Sequence, residues 1–128
     1  MKLISVVFLL CLFFVSLAQA QSQNITDKKF WTINTLLISS TIYDVESTYF
    51  AKSRCGKHCK EGNFILRSLV NKGRPVMYTL ESSADAVLIY YSYYLKKHDK
   101  KLWFFPSVAA AASHVAFGTR NIKFAMRF

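Results

Sequence analysis

Proline and glycine are scarce, with two and four in 128 residues. Neither occurs between residues 30 and 51, so nothing there interrupts a helix. Acid is scarce too: seven Asp and Glu stand against seventeen Lys and Arg, a formal net charge of +10. No nucleophile elbow, P-loop, dinucleotide fingerprint or H-E-x-x-H occurs, which removes the hydrolase, nucleotide and zinc-protease signatures. No internal repeat or low-complexity linker divides the chain, and its length suits one domain.

What is present begins with a leader. Lys2 precedes an apolar run over residues 3–17, and Ala18-Gln19-Ala20 gives a small-x-small cleavage site. Residues 1–20 therefore read as a secretory signal peptide, and 21–29 as a polar leader. Cleavage removes Lys2 and Cys11, lowering the charge by one and leaving two cysteines. Asn24-Ile25-Thr26 fits a glycosylation acceptor, and Thr26 or Asp27 can cap the helix that follows. An exported chain rarely meets nucleic acid. Anionic lipid head groups are the expected partner of the basic charge, with another membrane protein as a further partner.

The mature chain reads as an all-α small helical bundle, with a helical domain over 30–121 and a basic tail over 122–128. Residues 30–51 form the first long helix, and a basic loop follows over 52–60. Asn63 can cap a short helix over 64–70. Gly73 and Pro75 then break the chain before a second long helix over 75–95. A lysine-rich turn at 96–101 leads to a third long segment over 102–119, with Pro106 near its first turn.

Each long segment approaches the ~20 residues that cross ~30 Å of hydrocarbon. Trp31, the tyrosines at 90–94 and Trp103-Phe104-Phe105 sit at segment ends, as interface belts do. The pattern predicts three transmembrane helices after the cleaved signal. The second segment should not insert alone. Its Leu, Ile and Val contribute roughly −2 to −4 kcal/mol, and Glu81 and Asp85 cost roughly +5 to +7. It can enter as a hairpin with the third, its acids facing partners or water. With the mature N-terminus outside, ten Lys/Arg fall inside and six outside, in the sense of the positive-inside rule.

Asp44, Ser47, Thr48 and Ala51 share one helical face, while Glu46 points elsewhere. Glu81 and Asp85, four apart, share another. His114 lies seven residues before Asn121 on one face, and Asp44 or Glu61 would be its natural partner. A lone His in alanine-rich surroundings fits either a hydrogen-bonded core residue or an acid–base group. Cys55 and Cys59 fit a disulfide, which suits an exported chain, or reduced thiols, which suit a loop facing the cytoplasm. Nearby Lys and Arg argue against a metal between them. No metal and no cofactor is expected.

The order Asp44-x-x-Ser47-Thr48, then Cys59-x-Glu61-Gly62-Asn63, a basic Gly-Arg-Pro, and His114 with Asn121 resembles a group of small uncharacterised bacterial helical membrane proteins. Their pattern is D-x-x-[ST]-T, E-[AG]-N-P and a late His…Asn. The likeness covers about residues 36–122 and departs at Phe64, where the group has Pro. It implies an integral membrane fold and marks Asp44, Thr48, Glu61, Asn63, His114 and Asn121. It implies no activity.

Three functions follow as expectations. The first is a structural or partner subunit of a membrane assembly, fixed by a buried polar cluster. The second is a membrane-embedded acid–base or metal site, enzymatic or for transport, built on Asp44, Glu61 and His114. The third is a secreted or periplasmic helical binding domain with a Cys55–Cys59 disulfide.

Overall fold

Asp27 starts the fold: its carboxylate accepts the Phe30 N–H at 2.8 Å and caps the first helix. The structure, a computed structural model, describes residues 25–56 and 64–127, and the side chains of all of these except 64–67. The signal peptide, Asn24, Cys59, Glu61 and Asn63 lie outside the described residues. Every described element is helical: α1 (Lys28–Cys55), α2 (Phe64–Asn71), α3 (Arg74–Lys97) and α4 (Phe105–Ala125).

The boundaries follow local chemistry. The Asp27 cap begins α1 at Lys28 rather than Phe30. Residues 52–55, expected in the basic loop, continue the helix, since no Gly or Pro stops it before Gly56, which ends it at φ +55° with its N–H turned back to the Lys52 carbonyl. Gly73 at φ +104° precedes α3, and Pro75 sits in its first turn. Pro106 does the same for α4. Residues 120–125, expected outside the third long segment, are helical. No Gly or Pro follows Gly118, so the ladder continues until the Met126 N–H closes on Ile122 O at 3.0 Å.

α1 and α4 run parallel and form the main contact of the fold. Going down α1, Asn34, Asp44 and Thr48 meet Ser107, His114 and Asn121 in the same order along α4. The seam repeats every seven residues. On α1 it holds Phe30, Leu37, Asp44 and Ala51, interleaved with Asn34, Thr41, Thr48 and Cys55. On α4 it holds Ser107, His114 and Asn121, interleaved with Ala111, Gly118 and Ala125. The small α4 residues let the two backbones approach. α3 runs antiparallel to both. Lys96 pairs with Asp27 at one end, and Met77 joins Val45 and Val70 in an apolar cluster toward the other.

The interior is unusually polar. Asn34, Ser40, Thr41, Ser47, Asp85, Ser92 and Ser107 are buried, while Leu36, Ile38, Ile42, Val87, Val115 and Phe117 are exposed. The three segments expected to be spans do form as helices. Among the described residues, however, no helix is long and apolar enough to cross a membrane. The hydroxyls, amides and acids along the seam lower the hydropathy of each helix.

Gly118 sets the closest approach. A Cβ there would lie 2.5 Å from Tyr43 Cε1 and 2.6 Å from Cδ1. Ala is better than Gly in a helix by up to ~1 kcal/mol, whereas overpacking costs about 1–3 kcal/mol. Gly118→Ala is therefore expected to lower stability, and the sign should reverse in a Tyr43→Ala background, where the propensity gain remains and the clash is gone. Thermal unfolding of the four proteins of that cycle measures both effects.

Candidate functional site

The central feature is a contact between Asp44 and His114. Asp44 Oδ2 lies 2.9 Å from His114 Nδ1, with side chains 18% and 16% exposed. Asp44 also organises its own helix. Its backbone carbonyl accepts the Ser47 hydroxyl at 2.8 Å and the Thr48 hydroxyl at 3.0 Å. Both hydroxyl protons are thereby committed, leaving the oxygens as acceptors. The Asn121 amide uses them, donating to Thr48 Oγ1 at 2.9 Å and to Ser47 Oγ at 3.3 Å. One turn of α1 thus reads two successive seam positions of α4.

α3 brings two more acids to this level. Asp85 is buried and Glu81 half-buried, and both act electrostatically on His114. The buried Thr41 hydroxyl donates to Leu37 O at 3.1 Å. Asp85 Oδ1 is buried with no hydrogen-bond partner among the described residues. Asp44, Glu81, Asp85 and His114, drawn from three helices, therefore lie within electrostatic reach of one another. Among the described residues, no group of three or more His, Cys, Asp or Glu is placed to hold a metal ion.

Six of the positions singled out from sequence lie together along this stripe: Asp44, Thr48, Glu81, Asp85, His114 and Asn121. Glu61 and Asn63 lie outside the described residues. Cys55 is buried and disulfide-bonded, which removes the free-thiol and metal readings for it. Its partner lies outside the described residues.

Two further groups are not apparent from motifs. Toward the N-terminal end of α1, Asn34 Nδ2 donates to Phe30 O at 3.0 Å, and its Oδ1 accepts from Ser107 at 2.9 Å. Ser107 in turn lies 2.9 Å from Ser92, and neither serine has any exposed surface. This triad ties all three long helices. Its signal in the sequence is the seven-residue step, 34-41-48 on α1 and 107-114-121 on α4. Toward the opposite end, Glu46 accepts from Tyr78 at 2.8 Å and pairs with Arg74 at 3.3 Å. The Arg74 guanidinium stacks over Tyr49, 5.2 Å from the ring centre. Outside the helices, the Lys96 ammonium, and then the Phe30 N–H, hold the Asp27 carboxyl below its usual range.

Ser107→Ala tests the triad. It leaves Asn34 Oδ1 and Ser92 without their partner inside the bundle, an expected loss of about 1–3 kcal/mol. Adding Asn34→Leu removes the stranded amide and should recover part of that loss. Chemical denaturation of the single and double variants reports both.

No family model, curated protein or solved structure matches the chain, so its own geometry carries the functional argument.

Proposed function

We propose that the chain is a small integral membrane protein, a three-helix bundle serving as a structural or partner subunit of a membrane assembly. The observation that carries this reading is the distribution of charge along the long helices. In their middle stretches, Asp44, Asp85 and His114 turn inward, with Glu81 half-buried beside them. The outward faces there carry Leu36, Ile38, Ile42, Leu80, Val87, Val108 and Val115. Outward apolar residues repeated along all three helices suit a surrounding apolar phase. Basic residues sit at the two ends: Lys28, Lys29 and Lys96 to Lys101 at one, Lys52, Arg54, Arg74, Lys123 and Arg127 at the other. They are placed to meet anionic head groups.

Length does not oppose the proposal. Helices of 28, 24 and 21 residues run roughly 42, 36 and 32 Å at ~1.5 Å per residue, against ~30 Å of hydrocarbon. What falls short is apolarity. If the helices enter together, the acids and hydroxyls meet one another rather than lipid, and the cost of inserting each helix alone is largely avoided. In this reading the polar seam is what fixes the bundle. The orphan Asp85 oxygen favours a second reading, an embedded acid–base site that uses Asp44 and His114 on one side and the α3 acids on the other.

Two variants separate these readings. Asp44→Asn keeps a hydrogen-bonding group opposite His114, so a structural role predicts a loss of no more than about 1 kcal/mol. Asp44→Leu strands the imidazole and should lose about 1.5–3 kcal/mol. An Asn variant that assembles normally yet fails to support cell function would point to acid–base chemistry. The membrane assignment itself predicts retention in the membrane pellet through an alkaline carbonate wash and release by detergent. Recovery in the aqueous fraction would instead indicate the secreted binding domain.

The disulfide at Cys55 supports placing that end of α1 in an oxidising compartment. That orientation runs against the one favoured by leader cleavage and the basic-residue count. An impermeant thiol reagent applied to intact cells should label Cys55 only after reduction. If an introduced cysteine in the Lys96–Lys101 turn labels instead, with Cys55 silent even after reduction, the orientation is reversed.

A further inference from the structure

The turn between α3 and α4 encloses an open cavity of about 380 Å³, lined by Ile25, Lys96, Lys97, Asp99, Lys100, Lys101 and Trp103. Four ammonium-bearing side chains border one concavity with a single acid on the rim. Lys96 is already committed: it pairs with Asp27, and its Nζ lies 4.5 Å from the Trp103 ring centre and 5.6 Å from that of Phe30. It is the fixed element, its side chain only 13% exposed. Among the described residues, Lys97, Lys100 and Lys101 make no side-chain hydrogen bond, ion pair or ring contact, so three cations border this pocket without a described partner. Asp99 holds the turn at φ +52°, a left-handed conformation that Asp tolerates better than most residues. Apolar Leu102 and Phe105 stand exposed immediately beyond.

Like charges gathered around one concavity focus the field there and raise the local concentration of anions. The geometry points to a binding site for a phosphate group, held by Lys97, Lys100 and Lys101 and backed by Lys96 over Trp103. Lysine suits this ligand as a point charge with three donors. Two sources supply the chemistry: a phospholipid head group, whose acyl chains would run past Leu102 and Phe105, and free phosphate. The site stands on the pocket itself and does not require that the helices cross a bilayer.

The test uses the full chain in neutral detergent, with Trp31→Phe making Trp103 the only tryptophan. Its fluorescence is followed during titration with inorganic phosphate and, separately, with short-chain phosphatidylglycerol. A saturable change is expected. Lys97→Gln, Lys100→Gln and Lys101→Gln together should weaken binding by about fivefold per lysine. A control set at the other end, Lys72→Gln, Lys123→Gln and Arg127→Gln, removes the same charge and should change affinity less than twofold. Saturation by phosphate alone assigns free phosphate as ligand, and saturation by the lipid only assigns the head group with its tail. Equal weakening by the control set, or no saturable signal with either probe, overturns the site. Far-UV circular dichroism confirms that the solvent-facing substitutions leave the helices intact.

Discussion

The polar seam between α1 and α4 is the constraint on which the rest of the structure depends. These helices are far apart in sequence yet run parallel, so the chain must return through α3 before α4 can begin. The seam combines small residues, which permit close approach, with polar groups that pair only in one register. A slip of seven residues would keep the small-residue pattern. It would also set His114 beside Leu37 or Ala51 instead of Asp44. The heptad spacing thus allows several alignments, and the Asp44–His114 and Thr48–Asn121 contacts select among them. Specificity of this kind lies in hydrogen bonds, while van der Waals contact of Ala111, Gly118 and Ala125 with α1 supplies the close packing.

α3 is attached differently. Its buried residues are Met77, Asp85 and Ser92, one for roughly every two turns. Each belongs to a separate group: the apolar cluster with Val45 and Val70, the acidic centre, and the serine triad. Between these points the helix presents Leu80, Val87, Tyr90 and Tyr91 outward, and Tyr94 just beyond them. The α1–α4 pair is therefore the frame, and α3 is held against it by three discrete contacts and by its two ends, Arg74 on Glu46 and Lys96 on Asp27.

The helices were legible in the sequence because Gly and Pro are few and, among the described residues, all but Gly118 stand at a helix end. Gly56, Gly73, Pro75 and Pro106 all stand at helix ends. The extra turn at the end of α4 was not legible, since basic and aromatic residues look like a tail until helical contacts hold them. The shared face of Asp44, Ser47 and Thr48 and the seven-residue step from His114 to Asn121 were readable from spacing alone. For His114 the chemistry left two acids as partners, Asp44 or Glu61, and the structure pairs it with Asp44. The pairing of Asn121 with Ser47 and Thr48 was not readable, because spacing gives a face and says nothing of which side chains it meets. Asn34, Ser92 and Ser107 escaped notice for a related reason: serine and asparagine are common at surfaces, and only tertiary packing shows that these three are buried. Hydropathy gave the least direct signal. It averages over all faces of a helix, and here the polar face is the inner one.

The three acids at the centre are not equivalent, and the difference bears on what the cluster does. Asp44 has its contacts within the α1–α4 frame: His114 for its carboxylate, Ser47 and Thr48 for its carbonyl. A bundle that needed only register would be complete with these. Asp85 adds a buried carboxyl whose one oxygen has no partner among the described residues. In a low-dielectric interior an unmatched group of this sort costs about 1–3 kcal/mol, which packing alone does not recover. His114 has two ring nitrogens, and Nδ1 is committed to Asp44. Nε2 has no hydrogen bond to an acid of α3 among the described residues, and one imidazole stands near three carboxyl groups. The surplus acid lies on α3, the helix least firmly attached. The unused hydrogen-bonding capacity of the cluster is thus on α3, at the Asp85 oxygen, and not at the Asp44–His114 contact that sets the register.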